Sequence, residues 1–158
     1  MSVKWLTSKQ LNKVIHDNGT PLIKASFLGV FAINTLPREI PPLPVLLIVN
    51  NDTSNLPGRH WKAVFISCER HGEVYDSLVT PISIALEHWM NRFTLKWTCS
   101  TKTVQYPLSP SCGAYVLHYI LHRIGEPSLS KYTERYFVPD LHINELLIRH
   151  FMYNKLRK

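Results

Sequence analysis

The chain has 158 residues, enough for one domain whose core needs neither disulfides nor a structural metal. Apolar residues make up 45% and charged residues 18%, which excludes a disordered chain, and no apolar run is long enough to excuse a helical membrane span. A net charge of +7 favours polyanions such as nucleic acid, but the basic residues are scattered, and only Arg149, Lys155, Arg157 and Lys158 gather where they equally suit the end of a helix.

Taken in chain order, Met1 to Trp5 shows no secretory apolar segment, so a protein made and used inside a cell, or packed in a particle assembled there, is expected. Thr7 and Ser8 are helix N-cap candidates, and Gln10 completes a capping box with Thr7. Leu11, Val14 and Ile15 give that helix its apolar face, and Asn18-Gly19 stops it. A short strand is expected over Phe27 to Ile33. Leu36 to Leu43, with Pro37, Pro41 and Pro42, reads as a rigid loop. Val45 to Val49 is apolar throughout and reads as a buried central strand; Asn50 to Gly58 is a polar loop.

His60 to Ser67 and Glu73 to Ser77 form two strands of a hairpin turning around Glu69 to Gly72. Thr80-Pro81 predicts a helix, with Thr80 as cap, Pro81 at its first position, and Ile82, Leu86, Trp89 and Met90 on its apolar face. Lys96 to Gln105 predicts another strand and Tyr106 to Ser111 a loop. Cys112 to Arg123 is apolar on most faces and is expected to be a buried central helix ended near Gly125. Helices near Ser130 to Tyr136 and Asn144 to Leu156 complete an α+β fold, a small mixed β-sheet packed with helices, over a single domain of residues 1–158.

Cys112 falls at the head of the central helix, where amides and the dipole favour a thiolate, and Gly113 beside it leaves room for a substrate backbone. Position alone suits an ordinary buried cysteine equally well. A thiolate nucleophile needs a base, and His60, at a strand end beside an exposed loop, is the best placed of eight histidines. Hairpin pairing with this turn brings the end of the second strand back to the start of the first, which makes Asp76 a candidate to orient His60; a strand-end turn former ahead of Ser77 is the other reading of that residue. The Cys112 N–H supplies one oxyanion donor, and the Gln105 amide is a candidate for the second. His118 and His122 stand four apart, a metal-ligand spacing, but residue 119 is Tyr119 rather than a glutamate and the helix is apolar, so no metal is expected. The three cysteines, Cys68, Cys99 and Cys112, form no disulfide framework and no CxxC pair, as suits a reducing compartment.

The ordered set Gly58-Arg59-His60-Trp61, Val74-Tyr75-Asp76-Ser77, Val104-Gln105 and Ser111-Cys112-Gly113 resembles the adenain family, the adenovirus maturation proteases and their relatives in virus-like transposable elements. More distantly it resembles the SUMO-deconjugating cysteine proteases. The resemblance covers most of the chain, including Ser8 to Ile15, Phe27 to Phe31 and the final helix. It implies a cysteine endopeptidase with Cys112 as nucleophile, His60 as base, Asp76 as orienting acid and Gln105 as oxyanion donor, and Trp61 matches the family's tryptophan after the histidine. Adenain carries a glutamate where this chain has Asp76, and the SUMO proteases carry aspartate. The implied substrates are viral or virus-like capsid precursors cleaved after small residues, especially glycine, in the host nucleus or virion. Adenain is stimulated by a short peptide, partly through a disulfide, and by DNA, so DNA or an activating peptide are accessory partners to test, with no cofactor otherwise required and a monomer expected. Cys99 is the nearest counterpart for such a disulfide, but its spacing from Gln105 departs from the family pattern. Two alternatives stand beside this one: a deconjugase for Gly-terminated SUMO- or ubiquitin-like modifiers, with the same chemistry, and a non-catalytic basic nucleic-acid-binding domain.

Overall fold

A computed structural model describes residues 5–51 and 60–157. Its helices are α1 (Ser8–Asn18), α2 (Pro21–Ser26), α3 (Ile84–Phe93), α4 (Cys112–His122), α5 (Leu129–Tyr136) and α6 (Leu141–Leu156). Its strands are β1 (Phe27–Ala32), β2 (Val45–Asn50), β3 (Trp61–Ile66), β4 (His71–Tyr75) and β5 (Lys96–Cys99), in one sheet of order β1-β2-β3-β4-β5. The outer pairs β1–β2 and β4–β5 are parallel, and the inner pairs β2–β3 and β3–β4 are antiparallel, so the fold is α+β with a mixed sheet.

Successive strand residues point to opposite faces, and both faces are covered. Leu46, Ile48, Trp61, Ala63 and Phe65 face α4 on one side, and α1 and α6 pack in turn on α4 in the same core. Val45, Leu47, Val49, Val64 and Ile66 meet Leu86, Trp89 and Met90 of α3 on the other. Two-sided burial is why β2 reads as an unbroken apolar run rather than an alternating one. The same logic makes α4 apolar nearly all round: Ala114, Tyr115, Val116, Leu117, Tyr119 and Ile120 are all fully buried.

The capping box at Thr7 and Gln10 forms as expected: the Thr7 N–H donates to Gln10 Oε1 at 2.8 Å and the Gln10 N–H to Thr7 Oγ1 at 3.2 Å. The hairpin forms too, with its turn drawn back to Ser67–Arg70, where Arg70 adopts a φ of 62°. The expected loop over Asn50 to Gly58 lies largely outside the described residues. The final helices begin earlier than expected, α5 after its cap Ser128 and α6 after its cap Asp140.

Two expectations are corrected, and one helix was not foreseen. The helix expected at Thr80-Pro81 starts at Ile84 with Ser83 as its cap, while Thr80 is held in the turn after β4 by its N–H and hydroxyl bonds to Asp76. The strand expected through Gln105 ends at Cys99; beyond it Ser100 N–H reaches Val74 O at 3.1 Å, and Val104 and Gln105 N–H both turn to Ser77 O. Helix α2, capped by Thr20 with Pro21 at its start, was absent from the sequence expectations.

Candidate active site

The β3–β4 register pairs Ala63 with Tyr75 and Val64 with Val74, which carries His60 and Asp76 to the same end of the hairpin. His60 Nε2 and Asp76 Oδ1 are 2.7 Å apart. Because Nε2 faces Asp76, Nδ1 is the ring nitrogen left for Cys112, which is close enough to raise the His60 pKa. Cys112 opens α4 and is 1% exposed. The three residues chosen from sequence for the nucleophile, base and orienting acid are therefore brought together.

Asp76 is held from several sides. Leu78 N–H donates to Oδ1 at 2.9 Å, while Thr80 N–H and Thr80 hydroxyl donate to Oδ2 at 2.8 and 2.6 Å. Lys62 Nζ lies 3.5 Å from Oδ2 and donates to Pro81 O at 2.9 Å. Asp76 N–H in turn donates to Ser100 Oγ at 2.9 Å. Burial opposes the carboxylate's charge, but hydrogen bonding and attraction to His60, with Thr80 and Leu78, outweigh it and keep the carboxyl well below the usual range. Burial likewise lowers the pKa of His60, yet Asp76 and then Cys112 overcome this and raise it to about 9. At neutral pH this geometry favours an imidazolium beside an ionised Asp76.

Gln105 is 1% exposed. Its Nε2 donates to Ser109 O at 2.8 Å and its Oε1 accepts from Ser77 Oγ at 2.6 Å. A carbonyl can only accept, so Ser109 settles which end of the amide is nitrogen, and one of the two Nε2 hydrogens is committed to it. Trp61 packs toward α4, and its indole N–H donates to Leu6 O at 3.0 Å. Gly113 departs from expectation. A Cβ there would meet Leu6 Cβ at 3.1 Å and Leu6 Cδ1 at 3.2 Å, so the missing side chain makes room for Leu6 rather than for a substrate backbone.

The remaining sequence candidates have other uses. His118 Nδ1 lies 2.7 Å from the Tyr132 hydroxyl and the ring stacks on His122 at 4.1 Å. Burial, then the neighbouring His122 charge, lowers the His118 pKa to about 3, so it sits neutral in an aromatic core. Among the described residues no group of three or more His, Cys, Asp or Glu is arranged to hold a metal. Cys68 and Cys99 are exposed free thiols. Trp89 is core, packed on Phe93 with centroids 4.9 Å apart. Sequence reasoning missed Thr80, Lys62, Ser77 and Glu145. Lys62, a charge set within the apolar run of β3, left a visible signal; Thr80 reaches Asp76 from four residues on, while Ser77 and Glu145 act across 28 and 34 positions.

No family model matches the chain, and no curated protein matches it. Among solved structures, two crystal structures of the ASFV pS273R protease superpose on 93% of this chain, with TM-scores of 0.64 and 0.65 and 16% identity. The match spans 68% and 67% of those chains. Lower similarity is found to ChlaDub1 of Chlamydia trachomatis, at TM-score 0.49 and 15% identity over 96% of this chain and 78% of that one. The SUMO protease Ulp1 follows at 0.45 and 14% identity, over 96% and 79%. At such identities the likeness to the ASFV protease is one of fold.

Proposed function

We propose that this chain is a cysteine endopeptidase with Cys112 as nucleophile, His60 as general base and acid, Asp76 as the orienting acid, and the Gln105 amide with the Cys112 N–H as oxyanion donors. The observation that carries this assignment is the 2.7 Å contact of His60 Nε2 with Asp76, with Cys112, at the head of a buried helix, close enough to act on the same imidazole. The fold shared with a viral protease supports it.

In the reaction, the Cys112 proton passes to His60, giving a thiolate–imidazolium pair; Sγ then attacks the scissile carbonyl carbon and the C=O pair moves onto oxygen, where Gln105 and the Cys112 N–H receive it. The His60 imidazolium protonates the leaving amine. Water, deprotonated by the now neutral His60, then hydrolyses the thioester and frees Sγ. Asp76 supports both halves by holding Nε2–H and stabilising the imidazolium. Residues 1–158 act as one catalytic domain, as a monomer and without a metal. Substrates are viral or virus-like capsid precursors cleaved after glycine or another small residue, and the +7 charge suits DNA as an accessory polyanion. Asp76 in place of a glutamate favours a second reading, deconjugation of Gly-terminated modifiers.

Iodoacetamide labelling at mildly acidic pH tests the assignment. Cys112 is expected to react faster than the exposed Cys68 and Cys99 despite its burial, and to lose that advantage in His60→Ala. Equal, slow labelling of all three thiols would remove the protease assignment. A panel of capsid-type peptides and Gly-Gly modifiers then separates the two substrate classes.

A further inference from the structure

Tyr106 to Ser111 link Gln105 to the first turn of α4 without helix or strand of their own. The shape of this loop is set largely by one side chain from α6. Glu145 is 8% exposed, and its carboxylate accepts from Tyr106 N–H at 3.1 Å, Ser109 Oγ at 2.8 Å, Ser111 Oγ at 2.9 Å and the Tyr115 hydroxyl at 3.1 Å. Ser111 is the N-cap residue of α4, yet its hydroxyl makes no capping bond and turns to Glu145 instead. A buried carboxylate without its donors is costly, so loop and carboxylate hold each other in place.

The connection to chemistry runs through Ser109. Its hydroxyl is tied to Glu145, and its carbonyl receives the Gln105 amide at 2.8 Å. The preceding helix residue, Asn144, anchors the other end of the segment by donating to Val104 O at 3.0 Å. Movement of Ser109 or Ser111 is therefore movement of the Gln105 amide relative to the start of α4.

We propose that Glu145 is a positioning residue that builds the oxyanion side of the site, fixing Gln105 against the Cys112 N–H through Ser109 and Ser111. This rests on the protease assignment above. Glu145 acts through the loop and is not itself a catalytic residue.

Two probes of Cys112 separate oxyanion geometry from thiol reactivity. Iodoacetamide alkylates Sγ with loss of iodide and needs no oxyanion site. A peptide aldehyde ending in glycinal does need one: Sγ adds to the aldehyde carbon, the C=O pair moves onto oxygen, and His60 supplies the proton of the hemithioacetal. Glu145→Ala is expected to weaken aldehyde binding roughly 10-fold or more, as misplacement of a reacting group does, while alkylation of Cys112 stays within about 2-fold of wild type. On a cleaved peptide the loss falls on kcat rather than KM. Glu145→Gln keeps an acceptor for Tyr106 N–H and can exchange hydrogen bonds with both serines, so it restores most of the affinity. Amide exchange at Tyr106 speeds up in Glu145→Ala only. Ser109→Ala, which cuts a single donor, serves if Glu145→Ala does not fold, with an expected loss of about 3-fold.

Unchanged aldehyde affinity in a folded Glu145→Ala, or in Ser109→Ala should Glu145→Ala not fold, overturns the proposal. So does an equal loss with both probes, which would mean that Glu145 supports Cys112 rather than the oxyanion donors. Failure of the protease assignment looks different: wild-type Cys112 would react with iodoacetamide no faster than Cys68 and Cys99.

Discussion

Replacing Asp76 with asparagine is expected to bring the His60 titration down from about 9 toward its ordinary 6.5 or lower. That interval corresponds to about 3 kcal/mol favouring the imidazolium, at about 1.4 kcal/mol per pH unit. Asp76 is the largest contributor to it, with Cys112 adding the remainder against the opposing effect of burial. Asparagine keeps the size and can still accept from His60 Nε2–H. Its amide nitrogen would then face Thr80 N–H, Thr80 Oγ1 and Lys62, which now donate to or flank Oδ2, so donor meets donor. For stability the sign follows from each shift. The raised His60 pKa contributes fully below 6.5 and is lost as pH climbs through about 9; the lowered Asp76 pKa contributes fully above 3.8 and is lost as pH falls. The wild type's advantage over Asp76→Asn, about 3 kcal/mol in size, should thus be greatest between roughly pH 4 and 6.5, shrink from there through about pH 9, and gain nothing beyond it. His60 ring-proton NMR across pH 5 to 10 and urea unfolding at both ends of that window measure the two effects. A His60 titration that does not move, or a stability gap that widens above pH 9, would refute the electrostatic account of the pair.

Two further outcomes follow from the same geometry. Gln105→Ala should lower kcat by roughly 10²-fold to 10³-fold with little change in KM, as loss of one oxyanion donor does, and a KM-only effect would place Gln105 in substrate binding instead. Gly113→Ala should destabilise the wild type, because its new Cβ would stand 3.1 Å from Leu6 Cβ, and should cease to do so in a Leu6→Ala background. A coupling of about 1 kcal/mol between the two, measured by urea unfolding, is expected, and strict additivity would show that Leu6 does not fill that space.

Much of the fold was legible because its causes are local. The Thr7–Gln10 capping box, the apolar run of β2 and the apolar length of α4 are each set by residues within a few positions of one another. The site was legible in part for a related reason. A hairpin must return its second strand to the start of its first, so the order of His60, the turn and Asp76 already implied their meeting, and Cys112 at a helix head followed from the apolar pattern after it. Gly113 was misjudged because its neighbour, Leu6, lies far away in sequence, and nothing near Gly113 announces it.

Thr-Pro shows the limit most clearly. The dipeptide occurs at Thr20-Pro21, where it opens α2, and at Thr80-Pro81, where no helix begins. Local propensity is the same in both. At the second, Asp76 takes the Thr80 hydroxyl at 2.6 Å and the Thr80 N–H at 2.8 Å, which ties Thr80 into the turn after β4, and the helix starts only at Ile84 behind the Ser83 cap. Glu145 likewise meets Ser111 across 34 positions and Tyr106 across 39, a pairing with no periodicity to reveal it. Sequence alone thus determined most of the helices and strands and the chain order of His60, Asp76, Gln105 and Cys112. Tertiary structure decided which polar groups satisfy one another, because each buried donor must find its acceptor wherever in the chain that acceptor lies.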